Sequence, residues 1–111
     1  MSADLQTPSA VTWIDRGHAI VARTLSAGKS EVVRIEREPA TEAGFGAFLV
    51  QVVDRIGDRE RVMIMGPDEM RLALEREYVS IFHRPERLVD VEPSGPIGTK
   101  QLLGRLRRLA A

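Results

Sequence analysis

The sequence predicts an α/β domain in which one mixed five-stranded sheet is covered by helices. Three observations predict it. Three β-rich segments joined by short turns come first, three segments with helical apolar periodicity follow, and two short apolar segments stand between those helices. The predicted order is therefore β-β-β-α-β-α-β-α, with two helical crossovers that should be right-handed.

The first three strands are predicted from β-rich runs that end in turn residues. The runs are VTWID, AIVARTL and EVVRIERE, and the turns between them are RGH and SAGK. In the third run Val33 and Ile35 alternate with Arg34 and Glu36, so one face of that strand is buried and the other is solvated. Turns this short join antiparallel neighbours, and we expect a meander.

The first helix and the fourth strand follow. The segment 39–58 has the periodicity of an amphipathic helix that ends at Gly57. The next run, RVMIMG, is apolar throughout and predicts a strand with both faces covered. The predicted buried stripe of the helix is Phe45, Phe48, Leu49, Val52, Val53 and Ile56.

The last third of the chain predicts helix, strand and helix. PDEMRLALEREYVSIFHRP predicts a second helix with Pro67 in its first turn and Asp68 and Glu69 at its positive end. RLVDVEP predicts the fifth strand, and TKQLLGRLRRLAA a last helix capped by the Thr99 hydroxyl. This order is the ribonuclease H-like arrangement. The predicted buried stripes are Met70, Ala73, Leu74, Tyr78, Ile81 and Phe82, then Leu102, Leu103, Leu106 and Leu109.

Composition limits the classes of function. The 111 residues suffice for one core, which we place in residues 11–111 behind a flexible tail at 1–10. The absence of Cys excludes disulfides, thiolate metal sites and a Cys nucleophile. The first ten residues lack the charged and then apolar segments of a signal peptide, and no apolar run reaches the roughly 18 residues of a membrane span. We therefore expect a cytoplasmic protein without membrane contact.

The stretch EPSGPIGTKQL has the residue types of a phosphate-binding loop but not their order. Such a loop needs a glycine five residues before Gly98, where Pro93 stands, and a Lys directly after Gly98, where Thr99 stands. The residues instead predict a chain break before a helix. At IMGPDEM, a strand meets a helix, but Asp68 and Glu69 would repel a phosphate there.

No catalytic or metal-binding constellation is predicted. A two-metal nuclease of this architecture needs several converging carboxylates, and the sequence offers Asp15 alone, which is better interpreted as a hairpin turn residue. His18 and His83 lack metal-ligand partners in the sequence, and Trp13 and Tyr78 fit the core. We therefore expect no enzyme, no metal and no cofactor.

Three segments of the chain resemble a known family. They are VTWIDRGHAIVARTLSAGKSEVVRIERE, RVMIMGPDEMRLAL and LVDVEPSGPIGTKQLL. In order and spacing they resemble the central domain of archaeal and eukaryotic class-1 peptide-chain release factors and of their relative Pelota, including bacterial relatives. The resemblance covers nearly all of residues 11–109. It implies a ribonuclease H-like domain of the translational machinery.

The release factors of this family have a catalytic loop that this sequence lacks. Release factors carry a Gly-Gly-Gln tip between the third strand and the first helix, and here that connection is only PATEAGFG. Peptidyl-tRNA hydrolysis is therefore not expected, as for Pelota, which also lacks the motif. The flanking domains that read codons and recruit a GTPase are absent from this sequence.

The chain has equal numbers of acidic and basic residues, so contact with RNA requires a local patch. A patch of this kind predicts salt-dependent RNA binding, and together with the resemblance it favours a translation-associated module that binds ribosomal or transfer RNA. The alternative is a protein-interaction or self-associating domain, such as a homodimer, that uses a free sheet edge. The candidate RNA-binding residues are Lys100, Arg105, Arg107 and Arg108 on the last helix, with Arg16, His18 and Arg23 in or after the first hairpin.

Overall fold

A computed structural model describes residues 7–38 and 44–111 of the chain. The helices are α1 (Gly44–Ile56), α2 (Met70–Phe82) and α3 (Thr99–Ala110), and short 3₁₀ turns lie at Ser26–Gly28 and Pro85–Arg87. The strands are β1 (Ser9–Ile14), β2 (His18–Thr24), β3 (Ser30–Glu36), β4 (Arg61–Gly66) and β5 (Leu88–Pro93).

The five strands form one mixed sheet in the order β3-β2-β1-β4-β5. β2 is antiparallel to both β1 and β3, whereas β4 is parallel to both β1 and β5. The predicted mixed five-stranded sheet with three helices is therefore confirmed. Because β1, β4 and β5 run in the same direction, their carboxyl ends lie at one edge of the sheet, where α2 and α3 begin.

The two faces of the sheet are covered unequally. α1 and α2 together cover one face, which we call the closed face, and α3 alone lies over β1, β2 and β4 on the other, the open face. A helix is about 10 Å wide and strands are about 4.8 Å apart, so one helix cannot cover five strands. The outer strands β3 and β5 are therefore only partly covered on the open face.

The buried cores follow this division. The closed-face core consists of Ala10, Ile14, Ala19, Val21, Phe48, Leu49, Val52, Val53, Ile56, Val62, Ile64, Met70, Leu74 and Tyr78. The open-face core is smaller and consists of Val11, Trp13, Ala22, Met65, Leu102 and Leu106. Alternate residues of β1, β2 and β4 contribute to opposite cores, as the two-residue period of a strand requires.

Two residues of the predicted helical stripes are exposed. Phe45 and Ile81 are each 42% exposed. Both lie at helix ends, where the helix no longer faces the sheet: Phe45 is in the first turn of α1 and Ile81 in the last turn of α2. The exposed ring of Phe45 is instead covered by the guanidinium of Arg37, 4.6 Å from its centroid.

The starts of β1 and α2 differ from the prediction. β1 begins at Ser9, so Ser9 and Ala10 are buried strand residues rather than part of the predicted tail. Residues 1–6 of that tail, and residues 39–43 of the predicted first helix and loop, lie outside the described residues. α2 begins at Met70, and Asp68 caps it from outside by accepting a 2.9 Å hydrogen bond from the Met70 amide.

The amino end of the parallel strands is held by a hydrogen-bond network on the closed side. The Tyr78 hydroxyl donates to the Gly57 carbonyl at 3.0 Å and lies 3.3 Å from the Arg59 amide, which donates to it. The Arg59 guanidinium donates to the carbonyls of Ile56 and Thr24, each at 2.8 Å. Burial raises the pKa of Tyr78 and lowers that of Arg59, because it disfavours the charged form of each.

Candidate nucleic-acid interface

The candidate interface is built on α3, which begins differently from the prediction. The N-cap residue is Gly98, and its amide donates a 3.0 Å hydrogen bond to the side-chain oxygen of Gln101. The predicted cap by the Thr99 hydroxyl is wrong, because Thr99 is already the first helical residue. The Gln101 side chain thus satisfies the amide directly before the helix, in agreement with a structural role for this loop.

The two sides of α3 have opposite character. Leu102 and Leu106 are fully buried against the sheet, as predicted. On the outer side Lys100, Arg107 and Arg108 are exposed, and spacings of seven and eight residues place them along one side of the helix. Within the described part of the chain none of these three cations has an acidic partner. We call Lys100, Arg107 and Arg108 the cationic ridge.

The fourth predicted cation of this helix is paired. Arg105 forms an ion pair with Glu92 of β5, and both side chains are about one-third exposed. Glu92 lies on the open face because it is opposite Met65 in the β4–β5 register. Arg105 therefore links α3 to the sheet and contributes less free charge than the cationic ridge.

Two of the three hairpin candidates do not join the ridge. Arg16 forms an ion pair with Glu69, directly before α2. Arg23 pairs with Glu31 at 2.7 Å and donates to the Arg55 carbonyl of α1 at 2.7 Å. Both partners tie these arginines to the side of the sheet that carries α1 and α2. The prediction lets them add to the patch on α3 only if they lie on the same side as that helix, and these two do not.

His18 is the hairpin candidate on the open face. Its ring centroid is 5.1 Å from that of Trp13, a member of the open-face core. Its Nδ1 is 3.3 Å from the Asp15 carboxylate, which also accepts hydrogen bonds from the amides of Gly17 and His18. Asp15 is thus the predicted turn residue, and the His18 ring is half-buried beside Trp13.

A groove lies between α3 and β5 where the helix fails to cover the sheet. It consists of two adjoining cavities of about 410 and 250 Å³ that share Arg105 and Arg108 in their walls. Met65 lines the larger cavity and Met63 the smaller one. Sequence reasoning missed this groove, because the apolar run RVMIMG predicts a strand covered on both faces.

The far end of the groove is closed by the loop before α3. Ser94 and Ile97 of this loop line the larger cavity. The Trp13 ring nitrogen donates a 3.0 Å hydrogen bond to the Gly95 carbonyl. The loop is therefore fastened to the central strand, and the groove is partly preformed.

Two features are absent from the described residues, 7–38 and 44–111. Within them no group of three or more His, Asp or Glu side chains is arranged to hold a metal ion. None of the three helices is long and apolar enough to cross a membrane.

No family model and no curated protein matches the chain. Solved structures do match. Pelota from Archaeoglobus fulgidus has a TM-score of 0.63 at 14% identity, over 93% of this chain and 31% of that one. An archaeal translation termination factor has a TM-score of 0.61 at 16% identity, over 86% and 32%. Dom34 from S. cerevisiae has a TM-score of 0.58 at 10% identity, over 87% and 31%.

The predicted resemblance is thereby confirmed as a likeness of fold. The chain spans about a third of the length of the structures that it matches. Its fold is similar to that of the matched parts of archaeal Pelota, Dom34 and the archaeal termination factor.

Proposed function

We propose that this chain is a non-catalytic module that contacts RNA of the translational machinery through the cationic ridge. The observation that carries the proposal is the position of three unpaired cations, Lys100, Arg107 and Arg108, along one side of α3. Cations that do not already neutralise a carboxylate can release counterions from a phosphate backbone, which is the main source of RNA affinity. A cytoplasmic location follows from this proposal.

The matched structures support the translational part of the proposal. One is a translation termination factor, and Dom34 is described as a translation termination-like factor involved in RNA quality control pathways. A shared fold alone does not transfer activity. The proposal therefore depends on the ridge, which belongs to this chain.

A binding role is favoured over a hydrolytic one. The sequence has no Gly-Gly-Gln anywhere in its 111 residues. The carboxylate that the nuclease hypothesis would use, Asp15, already accepts two backbone hydrogen bonds in the hairpin turn. We propose on these grounds that the chain binds RNA without cleaving the RNA strand and without hydrolysing the ester bond of peptidyl-tRNA.

The test is co-sedimentation of the chain with ribosomes across a salt series. The wild type should bind at low salt and dissociate as the salt concentration rises. The double variant Arg107→Glu/Arg108→Glu should bind at least about tenfold more weakly at low salt, because it removes two phosphate contacts. A matched control is Arg76→Glu/Arg84→Glu, which makes the same change in net charge at exposed positions outside α3.

Either of two results would overturn the proposal. One is the absence of co-sedimentation of the wild type even at the lowest salt concentration. The other is an equal loss of binding in the two double variants, since this would show that overall charge rather than the ridge determines binding.

Self-association is the second candidate function, and the free sheet edges favour it. β3 and β5 each pair with only one neighbouring strand in the described sheet. β5 is a poor template for pairing, since it has a register shift at its start and ends in Pro93, which has no backbone N–H to donate, whereas β3 pairs with β2 in unbroken register. β3 is the better edge. Sedimentation equilibrium over a range of protein concentrations tests this candidate, and a dimer that Val33→Lys dissociates would support it.

A further inference from the structure

One wall of the groove contains a glycine that the packing of the chain does not explain. Gly104 is in the middle of α3, where glycine is the least favourable residue apart from proline. A Cβ at this position would have no described atom within 4 Å other than its own helix backbone and chain neighbours. Gly66 is different, because a Cβ there would collide with the carbonyl oxygen of Ile14. Nothing inside the described fold requires Gly104. Because it has no side chain, the helix backbone is open to the groove at this position.

The groove next to Gly104 suits a flat, largely apolar group. Its larger cavity, about 410 Å³, is within the range of roughly 300 to 1,000 Å³ that small-molecule sites occupy. Met65 and Ile97 provide apolar surface there, and Met63 continues it in the adjoining cavity. Methionine thioethers are polarizable and make favourable contacts with the faces and edges of aromatic rings.

The charges around the groove favour an anion that is attached to this flat group. Arg108 lines both cavities and has no acidic partner in the described chain, and Lys100 lies two turns earlier, about 12 Å along the helix axis. Glu92 is in the same wall but is paired with Arg105. Its carboxylate can also accept a hydrogen bond from an amino group on a base edge.

We infer that the groove binds one unstacked base of a single-stranded RNA, with the adjoining phosphates on Lys100 and Arg108. This inference rests on the proposed function, since it needs RNA at the cationic ridge. It adds that the bound RNA is single-stranded. Bases in a duplex are stacked and paired, so they cannot enter a groove beside a helix, whereas bases of a single strand can be splayed out. Gly104 allows the base to approach the helix backbone.

The experiment measures fluorescence anisotropy of a short labelled RNA oligonucleotide, alone and annealed in a duplex. The wild type should bind the single strand more tightly than the duplex. Gly104→Ala should weaken single-strand binding by about tenfold, the order of one lost base-stacking contact, and leave duplex binding unchanged. The same variant should raise Tm by roughly 4 °C, because alanine favours the helix.

The matched control is Gly46→Ala in α1. A Cβ at Gly46 also has open space, and this residue is on the helix that covers the opposite face of the sheet. The substitution should leave both RNA affinities unchanged. The combination of a more stable fold and weaker binding in Gly104→Ala alone separates a ligand site from a structural defect.

The possible failures are distinguishable. If the wild type binds single strand and duplex alike, or if Gly104→Ala binds the single strand as the wild type does, the groove is not a base site and only this inference is overturned. If a polyglutamate peptide with the same total charge as the oligonucleotide displaces it, the surface binds acidic chains in general and the inference is likewise wrong. If the wild type binds neither RNA, the proposed function fails as well.

Discussion

The two faces of the sheet use the same strands for different purposes. On the closed face two helices bury a large continuous core, and two of the cations at its margin, Arg16 and Arg23, are paired with Glu69 and Glu31. On the open face one helix buries a small core and leaves a groove and three unpaired cations. The difference indicates that the closed face provides most of the stability, which allows the open face to carry surface that does not stabilise the fold.

The largest expected effect compares one leucine from each face. Leu74 and Leu106 are both fully buried. Leu74→Ala should reduce the free energy of unfolding by about 3–5 kcal/mol, because two helices and the sheet hold the cavity open. Leu106→Ala should cost about 2–3 kcal/mol, because the single helix α3 can settle toward the sheet. Urea unfolding of both variants measures this, and equal losses would mean that the two faces are equally rigid.

A smaller effect is expected at the network that supports the closed face. Tyr78→Phe should reduce the free energy of unfolding by about 1–3 kcal/mol, because the Gly57 carbonyl and the Arg59 amide lose a partner. Urea unfolding at neutral pH measures the loss. A stability equal to that of the wild type would show that water replaces the hydroxyl and that the network is not a support.

The same tyrosine gives a pH dependence. Burial raises its pKa above the ordinary value of about 10, so the unfolded chain ionises first as the pH increases. The stabilising contribution is complete below pH 10 and is lost between that value and the raised pKa of the folded state. The wild type should therefore lose stability above pH 10 more steeply than Tyr78→Phe. Tyr78 is the only tyrosine, so the tyrosinate absorbance of the folded chain reports its pKa directly.

The smallest expected effect has the opposite sign. The Thr12 hydroxyl is buried on the central strand and has no hydrogen-bond partner among the described residues. Its neighbours in register are Val21 and Ile64, both fully buried. Thr12→Val should stabilise the fold by about 1 kcal/mol, because it removes an unsatisfied polar atom from an apolar site. Thermal unfolding measures the gain, and a loss of stability would point to a partner such as a bound water.

Much of the fold could be predicted because each element has its own period in the sequence. The leucines of α3 recur at helical spacing, and the turn residues of the first hairpin mark its ends. The exposed ends of α1 and α2 could not be predicted, because periodicity shows which residues share a side but not where the sheet stops. This is why the sequence predicts Phe45 and Ile81 in the core although both are exposed.

The site could be predicted only in part. The sequence places four cations on one helix, but it does not show which of them are neutralised. Arg105 meets Glu92 only because α3 packs across β4 toward β5, a contact between elements that no local pattern contains. Arg16 and Arg23 are lost from the patch for the same reason. The groove depends on the width of one helix relative to five strands, and therefore on the assembled structure.

The hydrogen bond from Trp13 to the Gly95 carbonyl gives the groove an internal optical reporter. Trp13 is the only tryptophan of the chain, it is almost fully buried, and its indole nitrogen contacts the loop that closes the groove. Movement of that loop on ligand entry would change the polarity around the indole, and its emission spectrum would shift without any attached dye. Occupancy of the open face can therefore be followed in the unmodified protein.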